Sequence, residues 1–415
     1  MKHSRRDVLK AGAALAVSAG IPGGAFAQQG PVKVGVGIAQ TGPLSGGGKA
    51  ALVALQLWVD DVNAKGGLLG RKVELISYDD QSSPAVSPQL YAKLLDIDRA
   101  DLLIAPYGTV PTAPLMPMMK QREKLLMGNF SFQVNHRVHH DMWFNNSPWN
   151  DARSWSEGFF ELGQAQGAKS IAFLAADQEF AQNLANGARE FAKKLGLKTV
   201  YEQNYPPTTA DFSAMIRAVR ASRPDIVFVM SYPNDSAAIV RSVKELGVGP
   251  SVKLFGGGMV GLQFTPIMTA LGSAMNGIVN YNTYVPGMKY PGIDEFFQKY
   301  SKRAVDAKVD PLGFYLPPFN YAIGQIYEQA IGATKSLDHK TLAGWLRQNE
   351  VKTIVGPIRW DKEGEWANPR VIMTQFQGVK DGNLEQFRKP GAQAILYPKN
   401  LATGKLKAPF EKARS

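Results

Sequence analysis

The residues best placed to do chemistry lie where apolar runs give way to small polar side chains. Tyr107-Gly108-Thr109-Val110-Pro111 follows one such run, and Asn129-Phe130-Ser131-Phe132-Gln133 follows the next. Pro111 and Thr112 open a helix after the first run. The Thr109 hydroxyl and the free amides of that turn then face outward at a positive helix end, which suits a carboxylate. Two readings of Thr109 stand together, a helix cap and a ligand hydroxyl. The second run gathers Ser131, Gln133 and the rings of Phe130 and Phe132. Other chemistries are poorly served. Gly35-Val36-Gly37 follows a strand, but Gln40 stands where a dinucleotide loop needs its third glycine. Around Gly46-Gly47-Gly48-Lys49, Pro43 and Ala50 replace the first glycine and the Mg²⁺-binding hydroxyl of a phosphate loop. That glycine run reads instead as a mobile turn that exposes its backbone. His136, His139, His140 and Asp141 form a metal-like cluster with no helical His pair. Such side chains can hold zinc, but a solvated loop is the simpler reading. With five histidines in the chain and no G-x-S-x-G elbow, a nucleophile–base constellation is missing. The expectation is a binding protein without metal or cofactor, not an enzyme.

The elements that must position these residues alternate along the chain. Val32–Ile38, Val73–Tyr78, Leu102–Ala105 and Leu125–Met127 read as buried strands, with a helix at Ala50–Asn63 stopped by Gly66-Gly67. After Pro148 a second series begins. It has helices near Ser154–Gln164, Leu184–Leu195 and Phe212–Arg220, and strands at Ser170–Ala175, Val200–Tyr205 and Ile226–Met230. Strand and helix alternating through two halves predict an α/β protein with two parallel sheets, each covered by helices. Their crossovers should be right-handed. The stretch from 391 to 415 carries five basic residues with little apolar patterning and reads as a solvated tail.

The first 27 residues read as an export signal. Arg5-Arg6 precedes an apolar stretch from Ala11 to Ile21, and Ala25-Phe26-Ala27 supplies an A-x-A cleavage site. Ser4–Lys10 resembles a twin-arginine signal, with Val8 where an aromatic residue is commoner. Eleven apolar residues span roughly 16 Å as a helix, against about 30 Å of hydrocarbon, so this is no membrane anchor. Cleavage after Ala27 would leave 388 residues, enough for two domains, soluble in the periplasm. Losing Lys2, Arg5, Arg6, Lys10 and Asp7 takes the formal charge from +12 to +9. The basic residues are scattered, without the block that a nucleic-acid site needs. Cysteine is absent, which excludes disulfides, thiolate catalysis and a lipoprotein anchor.

Several segments, taken in order, resemble one family. Val34–Gly46 (VGVGIAQTGPLSG), Val59–Asp80 (VDDVNAKGGLLGRKVELISYDD), Asp211-Phe212-Ser213 and Thr353–Asp361 (TIVGPIRWD) are similar to the periplasmic substrate-binding proteins of ABC importers for branched-chain amino acids and amides. The resemblance implies the type I periplasmic-binding-protein fold: two Rossmann-like lobes joined by three hinge crossings, closing on a ligand between them. It places residues 31–150 and 283–350 in an N-terminal lobe, and 151–282 and 351–390 in the other. It also implies a small-molecule solute, a membrane permease with its ATPase as partners, and a monomer. In amino-acid-binding members the carboxylate is held after the third and fourth strands, positions that fall here on Thr109 and on Phe130–Gln133. The amino group is held by two acids, and Asn150 and Gly258 stand there instead, unless Asp151 serves in place of one. A buried ammonium without a carboxylate is costly. Phe130, Phe132, Trp149, Phe180 and Tyr232 fall at or near cleft loops, as ligand walls or as core, and Tyr107 stands with Thr109 as a ligand residue. Glycine replaces an aromatic residue at Gly46–Gly48, which would leave extra room. The expected ligand is a flat apolar carboxylate, an aromatic acid or hydrophobic amino acid. A sensor feeding a membrane receptor, and an amide or urea binder, are the alternatives.

Overall fold

The computed structural model describes residues 30–414, so the export-signal reading of residues 1–27 lies outside the described residues. The first sheet takes β1 (Val32–Gly37), β2 (Val73–Tyr78), β3 (Leu102–Tyr107), β4 (Leu126–Asn129) and β5 (Trp143–Asn146) in the order β2-β1-β3-β4-β5. Every pairing in it is parallel. Between these strands run α1 (Ser45–Ala64), α2 (Ser87–Asp96), α3 (Thr109–Thr112) and α4 (Met116–Gln121). Strands buried on both faces explain the unbroken Val, Ile and Leu runs.

The second lobe repeats that order. It holds α5 (Ala152–Ala165), β6 (Ser170–Ala176), α6 (Glu179–Lys194), β7 (Lys198–Tyr205), α7 (Ser213–Ser222), β8 (Ile226–Ser231) and α8 (Pro233–Leu246). Then come β9 (Leu254–Met259), α9 (Thr265–Leu271) and β10 (Val279–Asn282). Its strands lie as β7-β6-β8-β9-β10, again parallel. The chain then returns to the first lobe as α10 (Ile293–Asp306), α11 (Pro317–Thr334) and α12 (His339–Gln348), followed by the hairpin β11 (Val351–Thr353) and β12 (Gly356–Ile358). Two antiparallel strands, β13 (Ile372–Phe376) and β14 (Gln393–Tyr397), finish the second sheet beside β10, so that sheet is mixed at one edge. A final turn, α13 (Phe410–Ala413), closes the described chain.

Two expected boundaries are corrected. The hairpin and the loop after it belong with the first lobe rather than the second. Gln325 Oε1 accepts from Ile354 N at 2.9 Å, and Trp360 Nε1 donates to Asn145 O at 2.7 Å. Nor is the stretch after 391 a solvated tail. Ala394, Ile395 and Leu396 are buried in β14, Phe410 is buried against Phe255, and Glu411 accepts the Val248 amide at 2.7 Å. Its basic residues drew the eye from a short apolar alternation.

α11 is fastened to the first lobe by a ring and a missing side chain. Trp58 on α1 lies flat on Gly324, where an added Cβ would stand 2.1–2.3 Å from its ring atoms. Trp58 is fully buried and donates to Glu328 Oε1 at 2.7 Å, so it has nowhere to go. Tyr327 donates to Leu103 O at 2.6 Å and ties the same helix to β3. Gly324→Ala should therefore lower stability by about 1–3 kcal/mol in urea unfolding through overpacking alone.

The third crossing carries a fully buried carboxyl. Glu365 Oε2 accepts from Asn145 Nδ2 at 2.6 Å, while Oε1 meets no donor. Burial pushes this carboxyl up to about 8, so the folded chain keeps a proton that the unfolded chain releases near 4.5. Stability from this group therefore falls as pH rises from about 4.5 to about 8. Asp80, pushed up to about 6 by burial, adds a slope of the same sign below that pH. Glu365→Gln should be nearly as stable as wild type at pH 5 and more stable at pH 8, read as denaturant midpoints at the two pH values.

Candidate ligand-binding site

Open α/β sheets bind ligands off the carboxyl ends of their strands, where the strand order reverses. Both lobes reverse between their first and third strands, β1/β3 and β6/β8. The loops at those two points face each other across a cavity of about 390 Å³, its mouth included, beside a wider groove that shares Leu44, Val110 and Tyr232 with it and carries Asp235. The first lobe contributes Leu44 after β1, Tyr107 to Val110 after β3, and Phe130 after β4. The second contributes Phe180 after β6, Tyr232 after β8 and Val260 after β9. Trp149 from the first crossing, Trp155 from the start of α5 and Tyr315 ahead of α11 complete the wall.

The β1–α1 loop is pinned rather than mobile. Asp79 Oδ1 accepts from Gln40 N and Thr41 N, its Oδ2 accepts from the Thr41 hydroxyl at 2.7 Å, and Ser82 Oγ accepts from Leu44 N at 3.0 Å. The glycines are helical, inside the first turn of α1. A Cβ on Gly48 would stand 2.0 Å from Ala39 O, and one on Gly47 would meet Leu316, Tyr107 and Phe264. Gly47 and Gly48 thus allow close packing and leave no extra room, whereas a Cβ on Gly46 would meet nothing within 4 Å.

Thr109 is no helix cap. Gly108 holds the N-cap position, and the Thr109 hydroxyl oxygen instead accepts the Phe132 amide at 2.9 Å. Its proton remains free to be donated, on a side chain only 3% exposed. Ser131 turns the other way. Its hydroxyl donates to Gly108 O at 3.3 Å and its carbonyl accepts from Trp149 Nε1 and Asn145 Nδ2. The β3 and β4 loops are thus laced to each other before any ligand arrives. Phe130 sits at φ +58°, a conformation that a bulky residue holds only when its surroundings compel it. Trp149, Tyr315 and Phe319 all meet its ring edge-on within 5 Å.

Of the sequence-predicted residues, Tyr107, Thr109, Phe130, Trp149, Phe180 and Tyr232 come together on the cavity wall. The others do not. Phe132 backs Trp155 and Phe180 from behind, and Gln133 sits in the following turn. Asn150 donates its amide to Ser154 Oγ, and Gly258 lies within β9 against Val229. Asp151 is engaged as the N-cap of α5, accepting from Ser154 N at 2.7 Å, so it replaces neither missing acid. Sequence reasoning overlooked Trp155, Tyr315, Val260, Val110 and Leu44. Trp155 was the most legible of these, standing in the first turn of a helix that follows a crossing.

The wall carries no charged side chain, and each of its free polar side-chain atoms can donate. The buried Trp155 Nε1 has no acceptor, and the buried Tyr232 hydroxyl donates to no protein group. Burial holds the Tyr232, Tyr107 and Tyr315 phenols well above their ordinary range, so all stay neutral. Tyr315 shares its proton with Tyr281 at 2.8 Å. The histidine cluster is dispersed. His140 is buried against Lys124 O, His139 pairs with Glu363, and no group of three metal-ligating side chains exists among the described residues.

A family model described as periplasmic binding protein matches residues 31–383. The chain belongs to the periplasmic binding protein family. Its relatives include Leu/Ile/Val-binding protein homolog 7 of Brucella abortus, 23% identical over 95% of this chain and 98% of that one. Among solved structures, the branched-chain amino acid substrate-binding protein LivJ of Streptococcus pneumoniae, in complex with isoleucine, superposes with TM-score 0.73. It is 18% identical over 89% of this chain and 100% of that one. A solute-binding protein of R. palustris in complex with benzoate gives TM-score 0.72 at 17% identity, over 91% and 100%. This periplasmic binding protein therefore has the fold of ABC-type substrate-binding proteins, and its family binds solutes rather than transforming them.

Trp149 and Trp155 lie 4.3 Å apart on the wall, so this periplasmic binding protein should report its ligand by intrinsic fluorescence. Filling the cavity should shift and quench the tryptophan emission. Trp155→Phe should remove most of that change while leaving the fold intact, as checked by circular dichroism.

Proposed function

We propose that this protein captures a small apolar carboxylate, an aromatic acid in the first instance, and delivers it to the permease and ATPase of an ABC importer. The protein would act in the periplasm as a monomer, after export and cleavage behind Ala27. One observation carries the ligand reading: the cavity wall offers donors from several directions and no acid. Thr109, Tyr232 and Trp155 each have a proton to give, and the first amides of α3 have no acceptor within their own helix. An α-amino acid would bring an ammonium that nothing on this wall answers, at a cost of several kcal/mol. An aromatic acid brings no such group, and edge-on rings around Phe130 and Phe180 supply apolar contact for a flat body.

Charge-assisted hydrogen bonds to the carboxylate contribute about 1.5–3 kcal/mol each, and ring burial about 25 cal/mol per Å². The ligand bridges donors of both lobes, Thr109 on one side and Tyr232 on the other, so binding stabilises the closed arrangement. That closed form is what a permease would engage.

Calorimetry on the mature chain with benzoate, leucine, isoleucine and urea tests the reading. Benzoate should bind with Kd near 1 μM, about −8 kcal/mol, and leucine should give no heat of binding. Thr109→Val should weaken benzoate about ten- to hundredfold, and Thr109→Ser should restore most of the loss. Binding of leucine or isoleucine in preference to benzoate would overturn the assignment.

A further inference from the structure

A small cavity, with about 10 Å³ of room for the centre of a water-sized sphere and so space for a single small occupant, lies where all three crossings meet. Pro148 represents the first crossing, Thr283 and Tyr284 the second, and Trp366 and Arg370 the third. None of the cavity residues that wall the ligand site takes part. Arg370 is anchored by its own amide, which donates to Pro148 O at 2.7 Å. Its guanidinium lies over the Trp366 ring at 4.6 Å and near Tyr290 at 5.8 Å. Gly356 makes room for it, since a Cβ there would stand 2.3 Å from Nη1.

Three polar atoms on this wall are buried without a partner: Arg370 Nη2, Thr283 Oγ1 and Trp366 Nε1. Thr283 is 4% exposed and Trp366 2%. Arg370 forms no ion pair with any described carboxylate. Each of the three atoms can donate, and one belongs to a permanent cation. The Trp366 and Tyr290 rings and the more distant Glu350 answer part of the charge on the half-buried Arg370, and the three free donors beside it favour an anion over water. We propose that this hinge cavity is a binding site for a small monovalent anion of the halide class, held by Arg370, Thr283 and Trp366. The anion joins three chain crossings at one point and thereby favours one angle between the lobes. Ligand capture and anion binding are then coupled, each strengthening the other to the same extent.

The test does not depend on the ligand of the main cavity. The mature protein is exchanged into gluconate, and bromide replaces gluconate at constant ionic strength while thermal unfolding is followed. Wild type should show a saturable rise of about 1–3 °C. Thr283→Val, which keeps the shape and removes the donor, should reduce it, and Arg370→Gln should abolish it. Crystals grown in bromide should show an anomalous peak within hydrogen-bonding distance of Arg370 Nη2. This map requires no variant to fold. A linear or absent thermal response together with a map empty at Arg370 overturns the proposal. So does a response equal in wild type and both variants.

Discussion

The bond from the Phe132 amide to the Thr109 hydroxyl oxygen, 2.9 Å long, sets the direction of the whole ligand site. It consumes the oxygen as an acceptor and leaves the proton for something outside the protein. It also locks the β3 loop to the β4 loop, which in turn holds Phe130 in its positive-φ turn with its ring on the cavity wall. Asn129 and Asn320 extend the lock by pairing their side-chain amides reciprocally at 3.0 and 3.1 Å. That pair fixes the start of α11, and with it Tyr315 and Phe319 against Phe130. A polar direction and an aromatic enclosure therefore come from one connected set of bonds, formed before binding. Such preorganisation lowers the ordering cost that binding must offset.

The second lobe adds the complementary half by the same topological logic. Its own strand reversal presents Phe180 and Tyr232 to the gap, and Asp235 steadies Tyr232 by accepting its amide at 3.3 Å. Asp235 also accepts from the Tyr205 hydroxyl at 3.3 Å and lines the neighbouring groove with Leu44, Val110 and Tyr232, so the lobe's nearby acid orients a ring without lining the ligand cavity itself. The absence of charge on the wall is thus produced by placement, with carboxylates close by but turned into helix caps and loop supports. Asp151 and Asp79 show the same economy of use.

The alternation of elements was plain in the sequence because buried parallel strands are continuous apolar runs, and their ends mark the loops that meet a ligand. That logic reached Thr109, Tyr107, Phe180 and Tyr232. It erred where neighbouring residues in a loop point to different faces. Ser131 and Phe130 are adjacent, yet one braces the loops and the other lines the cavity, a choice made by a positive φ that no residue type announces. Gly46–Gly48 suggested space throughout, because sequence cannot show that Leu316 and Ala39 come to fill it at Gly47 and Gly48 and leave it open only at Gly46. β14 was missed because its apolar core is only a few residues long and sits among lysines. It becomes a strand by pairing with β13, far from it in no dimension but invisible without the sheet.

Where this fold tolerates unsatisfied polarity is itself informative. Eleven buried side-chain atoms lack a hydrogen-bond partner among the described residues, and each costs about 1–3 kcal/mol. Two, on Trp155 and Tyr232, face the ligand cavity. Seven more, on Trp143, Asn145, Asn146, Thr283, Glu365, Trp366 and Arg370, belong to β5 and the crossings. Apart from β5 at the edge of the first sheet, no strand carries a buried side-chain atom without a partner among the described residues. The cavity wall between the lobes and the crossings that join them do carry such atoms. Unsatisfied polarity among the described residues is thus concentrated on the cavity wall, on β5 and on the crossings, where the two lobes meet.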